Sequence, residues 1–75
     1  MELRVKLMGA LKAKTPAGER LSVDDAATVE QVLQALGIAA TQVQIVMVNG
    51  RPQGNRALPL SPDDELTVVP PVGGG

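Results

Sequence analysis

The segment with the most distinctive chemistry is the run Pro70-Pro71-Val72-Gly73-Gly74-Gly75. Two adjacent prolines stop sheet pairing and hold the chain in an extended polyproline conformation. Three glycines then offer backbone without side chains, and the run as a whole reaches about 20 Å when extended. The reactive group at its tip is the α-carboxylate of Gly75, ionised at neutral pH because its ordinary pKa is about 3.5. Such a carboxylate is a poor electrophile until something removes its charge and supplies a leaving group. The segment therefore reads as a narrow probe that carries its carboxyl end into the active site of another protein, where any Cβ would widen it. A glycine-rich end alone is usually a frayed terminus or a linker. Here the stiff prolines directly follow a strand, and the probe reading prevails.

Nothing elsewhere in the chain competes with that end. The 75 residues include no Cys, His, Trp, Tyr or Phe. Thiol nucleophiles, His-based triads, disulfides and Cys/His zinc sites are all excluded. A net charge of −1 and the lack of aromatic platforms argue against nucleic-acid binding. The apolar runs are too short to cross a bilayer, and the charged, alternating start is no signal peptide, so a cytoplasmic protein with no membrane partner is expected. Asp24-Asp25 and Asp63-Asp64-Glu65 lack the spacing of a calcium loop and are assigned to turns and caps, leaving no metal site. Lys6, Lys12, Lys14, Arg51 and Arg56 serve either as ionic contacts for partners or as a solvated face.

The elements that must position the probe follow from periodicity. Leu3, Val5 and Leu7 alternate with Glu2, Arg4 and Lys6, which predicts a half-buried strand over residues 2–8. Residues 10–18, with Pro16 and Gly18, read as a connection, and residues 19–23 as a second short strand. A helix is expected over residues 28–36. Thr28 and Gln31 form a capping box, Val29, Val32, Leu33 and Leu36 make one apolar stripe, and Gly37 followed by Ile38 ends it. Residues 43–48 form a third strand, apolar on both faces, that leads into the hairpin turn Asn49-Gly50. Pro52 and Gly54 limit the returning strand to a short edge. Residues 57–60 add an apolar patch, Ser61-Pro62-Asp63-Asp64 suits a type I turn, and residues 66–69 form the last strand.

The order is thus β-β-α-β-β-β, an α+β domain over residues 1–69 followed by the tail 70–75. One helix covers one face of a sheet, yet the third and last strands carry apolar residues toward both. Met8, Val69 and one set from Val46/Val48 or Ile45/Met47 are left without an internal partner. Beside the tail they read as a docking face, taken as Met8, Val46, Met47 and Val69.

At these residues the chain resembles the ubiquitin-like sulfur carriers, and most of all the small subunit of molybdopterin synthase. The resemblance lies in the opening strand, the Thr28-Val29-Glu30 helix start, the Val48-Asn49-Gly50 turn, and above all Leu60-Ser61-Pro62-Asp63-Asp64-Glu65-Leu66 running into Val69-Pro70-Pro71-Val72-Gly73-Gly74-Gly75. It implies a ubiquitin-like β-grasp, a mixed sheet around one helix with its first and last strands paired in parallel at the centre. It also implies that an adenylating, ubiquitin-activating-like partner uses ATP and Mg²⁺ to convert the Gly75 carboxylate into an acyl-adenylate. Sulfur from a donor protein then gives a thiocarboxylate, which the tail (Pro70, Pro71, Val72, Gly73, Gly74) delivers into the large catalytic subunit of the synthase for transfer to a pterin precursor. The chain itself binds no cofactor and is a co-substrate rather than a stand-alone enzyme. Val68-Val69, where molybdopterin carriers often have aromatics, keeps open carriers for thiamine, cysteine, tRNA thiolation or a tungsten cofactor. A ubiquitin-like modifier joined to lysines is the reading from another class.

Overall fold

A computed structural model of the chain describes residues 1–72. Five strands, β1 (Glu2–Leu7), β2 (Arg20–Ser22), β3 (Ile45–Val48), β4 (Arg51–Pro52) and β5 (Glu65–Val69), form one sheet in the order β2-β1-β5-β3-β4. The helix α1 (Val29–Ala35) lies between β2 and β3 in sequence. β1 and β5 pair in parallel at the centre, with Leu7 opposite Val68, and the other three pairings are antiparallel. This is the mixed sheet of a ubiquitin-like β-grasp.

Alternation decides which face of the sheet the helix covers. Leu3, Val5 and Leu7 of β1, Leu66 and Val68 of β5, and Val46 of β3 all point to one side and are buried with Val29, Val32 and Leu33 of α1. Burying such side chains is the main favourable term in so small a fold, at roughly 1.5–3 kcal/mol each.

The helix is short, so its ends need partners. Thr28 Oγ1 accepts from the Gln31 N–H at 3.2 Å, and Gln31 Oε1 accepts from the Thr28 N–H at 2.9 Å, completing the capping box. The next two amides are satisfied by a crossing segment, Val29 N–H donating to Leu58 O and Glu30 N–H to Arg56 O. At the other end Ile38 N–H bonds Leu33 O and Gly37 N–H bonds Gln34 O, the paired bonds of a Schellman cap, with Ile38 and Leu33 both in the core. Residues 57–60 are thus a brace across the helix start, and Leu60 is one of the buried residues.

Three expectations change. The connection after β1 is not a plain loop: Gly9–Lys14 winds as a 3-10 helix that sends Leu11 into the core at 3% exposure. The third strand starts later than expected, at Ile45. Val43 sits at the end of the 3-10 turn Ala40–Gln42 and is buried, so it does not share a face with exposed Ile45. The turn at Ser61-Pro62-Asp63-Asp64 closes through Asp64 N–H to Ser61 O, but Asp63 has φ 64°, the geometry of type II rather than type I. Long-range bonds hold it there, since Asp63 N–H donates to Glu2 O at 2.8 Å. The Asn49-Gly50 turn is as expected, with both φ values positive at 53° and 82°.

Among the described residues, no helix is long and apolar enough to cross a membrane.

A candidate docking face beside the tail

β5 ends at Val69, and the chain continues directly into Pro70. Two backbone bonds fix this exit from opposite sides. Met8 N–H donates to Val68 O at 3.1 Å from the β1 side, and Gln44 N–H donates to Val69 O at 2.8 Å from the β3 side. Exposure then rises from partly buried Pro70 to exposed Pro71 and to Val72 at 92%. The tail leaves the sheet from its central strand. Gly73, Gly74 and Gly75, which carry the expected chemistry, lie outside the described residues.

The sheet face opposite the helix bears an apolar patch at this same end. Val69 is opposite Ile45, and Met8, one residue beyond Leu7, lies on its other side. The next row reads Lys6, Thr67, Met47 and Pro52 across four strands. Met8 and Ile45 are 39% and 43% exposed, while Met47 and Val69 are partly buried. Of the expected docking residues, Met8, Met47 and Val69 therefore come together. Val46 does not belong with them: it is 2% exposed and packs into the core. Pairing fixes this, because Val46 is opposite core-facing Val68, so Ile45 and Met47 must turn outward. The strand's own sequence is apolar at every position and could not reveal its register; only the partner strand decides it. Ile45, not Val46, stands with Met8, Met47 and Val69 on this face.

The other end of the same face is polar and tied to itself. Arg20 Nε donates to Glu2 Oε1 at 2.8 Å and its Nη2 to Asp63 Oδ1 at 3.2 Å, while Arg4 lies 3.8 Å from Glu65 Oε2. The hydrogen bond to Glu2, and then the charge of Glu2, raise the pKa of the Arg20 guanidinium above its ordinary value, so it stays charged throughout the usable pH range. Asp64 accepts from Asn49 Nδ2 at 2.9 Å and from the Ser61 N–H at 2.8 Å. The acidic residues of the turn are thus engaged as ion-pair partners and caps. Among the described residues, no three acidic side chains gather in a way that would hold a metal ion.

The sequence pattern of the ThiS family matches residues 5–75 of the chain. The chain belongs to that family, the ubiquitin-like sulfur carriers. No curated protein matches it. Among solved structures it is similar to SAMP1 from Haloferax volcanii, at 27% identity over the whole of both chains with a TM-score of 0.73. It is also similar to the HVO 2177 protein of the same organism, at 30% identity over all of this chain and 87% of that one, with a TM-score of 0.71. Subunits 1 and 2 of the molybdopterin-converting factor from Helicobacter pylori 26695 form a complex whose matching chain shares the fold, at 21% identity over the full length of both chains and a TM-score of 0.64. A ThiS-family chain is a small carrier, and the geometry suits carrying: a compact body, an apolar face, and a tail that leaves beside it.

Proposed function

We propose that this ThiS-family chain is the small, sulfur-carrying subunit of a molybdopterin synthase. The observation that carries the reading is the coincidence of the Val69-Pro70-Pro71-Val72-Gly73-Gly74-Gly75 ending with an apolar rim of Met8, Ile45, Met47 and Val69 at its root. A partner that grips the rim receives the tail in its active site. An adenylating enzyme, with ATP and Mg²⁺, joins AMP to the Gly75 carboxylate with release of pyrophosphate. The terminal sulfur of a donor protein's persulfide attacks the acyl-adenylate, and AMP leaves with the carboxyl oxygen. A thiol then cleaves the resulting acyl disulfide, releasing the thiocarboxylate and leaving the donor sulfur in a disulfide. The large synthase subunit then accepts the tail, and the pterin precursor takes the sulfur. Two deliveries complete a dithiolene, so the chain cycles between partners, and a cytoplasmic setting supplies the ATP this requires.

The chain contributes delivery and no side-chain catalysis. Adenylation provides the leaving group that a bare carboxylate lacks, and the glycines let the end pass through a narrow channel. A second reading draws on the likeness to SAMP1, which a related structure describes as a small archaeal modifier protein: the activated Gly75 carboxyl is joined to lysines instead.

Reconstitution separates the two. The chain is combined with its cognate activating enzyme, ATP, Mg²⁺, a sulfur source, the large synthase subunit and pterin precursor. A dithiolene-bearing pterin is expected. Sulfur reaching thiamine, cysteine or tRNA precursors instead would reassign the pathway, and lysine conjugates without any sulfur transfer would overturn the carrier reading.

A further inference from the structure

At the root of the tail, Pro70 lies close to a residue with no side chain. Gly9 follows β1 at φ +54°, and an L-Cβ built on it would stand 3.0 Å from Pro70 Cγ and 3.7 Å from Pro70 Cδ. The first distance is tighter than carbons normally keep, so an added Cβ requires Pro70 Cγ to give by a few tenths of an ångström, by a change of pucker or by a shift of the ring. Two constraints therefore meet at residue 9: a left-handed backbone, and a ring lying where a side chain would begin. Immediately before that ring, Val68 O and Val69 O are already held by Met8 and Gln44. The ring itself has a fixed φ. The pivot of the tail is thus constrained by β1, by the segment before β3, and by Gly9 beneath it.

We infer that Gly9 is a positioning residue: its bare Cα is the seat on which Pro70 rests, and this seat sets the direction in which the tail leaves the domain. The inference rests on the proposed role of the tail as the segment delivered to partners. A tail that leaves in one direction loses less conformational freedom when a partner captures it than one that swivels from its root. A Cβ at residue 9 would push the ring off its seat and turn the tail away from the axis of β5, with the apolar rim left in place. Partners would still find their grip but would meet a misdirected tail.

The test uses Gly9→Ala, Pro70→Ala and the double variant. Direction is read without any enzyme, from the residual dipolar coupling of the Val72 amide in the frame set by the amides of β1 and β5. Activation kinetics are then measured with the cognate adenylating enzyme. Gly9→Ala should change the Val72 coupling while the strand couplings persist, and should lower kcat/KM roughly tenfold, the factor that about 1.4 kcal/mol supplies, mainly through KM. With Pro70→Ala already present, adding Gly9→Ala should cost less than about twofold, because the ring it would strike has gone. An unchanged Val72 coupling in Gly9→Ala would overturn the inference. So would an equal penalty in both backgrounds, which would place the effect in backbone strain at residue 9. If Gly9→Ala does not fold, Gly9→Asn takes its place, since Asn tolerates the left-handed backbone yet still carries the Cβ. A wild-type chain that is not activated at all would refute the carrier reading, and the Val72 coupling would still judge the seat.

Discussion

The two ends of β5 are built differently. At its start, Asp63, Asp64 and Glu65 are tied to Arg20, Asn49, Ser61 and Arg4, so nearly every polar group there has a partner within the chain. At its finish, Val69 is flanked by Ile45 and Met8, its exit is bonded through the backbone by Met8 and Gln44, and Pro70 lies close to Gly9. Between them, Leu66 and Val68 are fully buried. One strand thus anchors a self-satisfied polar end and presents an apolar end that has no further cover among the described residues. A polar network spends its interactions internally, whereas an apolar rim gains its stabilisation when a partner removes it from water.

Substitutions along the strand should divide along that line. The largest effect is expected from the tail: deleting Gly75, or replacing Gly74 with Trp, should abolish activation while the thermal melting curve stays where it was. Activation that survives either change would remove the probe model. Leu66→Ala, in the middle of β5, should cost about 2–5 kcal/mol in urea unfolding, because the surrounding core cannot fully collapse on the cavity. At the polar end, Asn49→Ala removes bonds to Asp64 and to the Glu65 amide and leaves a non-glycine residue at positive φ. It should lower stability by about 1 kcal/mol and leave the activation of folded chain unchanged. At the apolar end the pattern should invert. Ile45→Ser should alter stability by less than ~0.5 kcal/mol, because the side chain is already partly in water, yet weaken partner binding in titration calorimetry. Equal losses of stability at the two ends would erase the distinction between them.

Much of this arrangement was legible in the sequence wherever a local pattern carries its own register. The alternation of Leu3, Val5 and Leu7 with charged residues places β1 with its correct face inward. Thr28 with Gln31, Gly37 with Ile38, and Asn49 with Gly50 mark boundaries through bonds made within a few residues. What escaped was set by distant partners. An unbroken apolar run does not say which of Ile45 and Val46 faces the helix until Val68 is placed opposite. Leu11 fills the core from a segment whose lysines and proline suggest a loop. Asp63 takes a type II geometry because Glu2 and Arg20, far away in the chain, hold it. The close approach of Gly9 to Pro70 has no local signature at all, since it exists only once β1 and β5 lie parallel. The tail was the reverse case: its composition carries the chemistry expected of it, while the structure describes only its root, from Pro70 to Val72.

The proposed role places sulfur on the chain's own terminal carboxyl group. The most direct measurement is the intact mass of the chain after incubation with its activating enzyme, ATP, Mg²⁺ and a sulfur source. A single replacement of oxygen by sulfur, confined by fragmentation to Gly75, is expected. A mass that stays unchanged, or that changes only through attachment to lysines, would contradict that role.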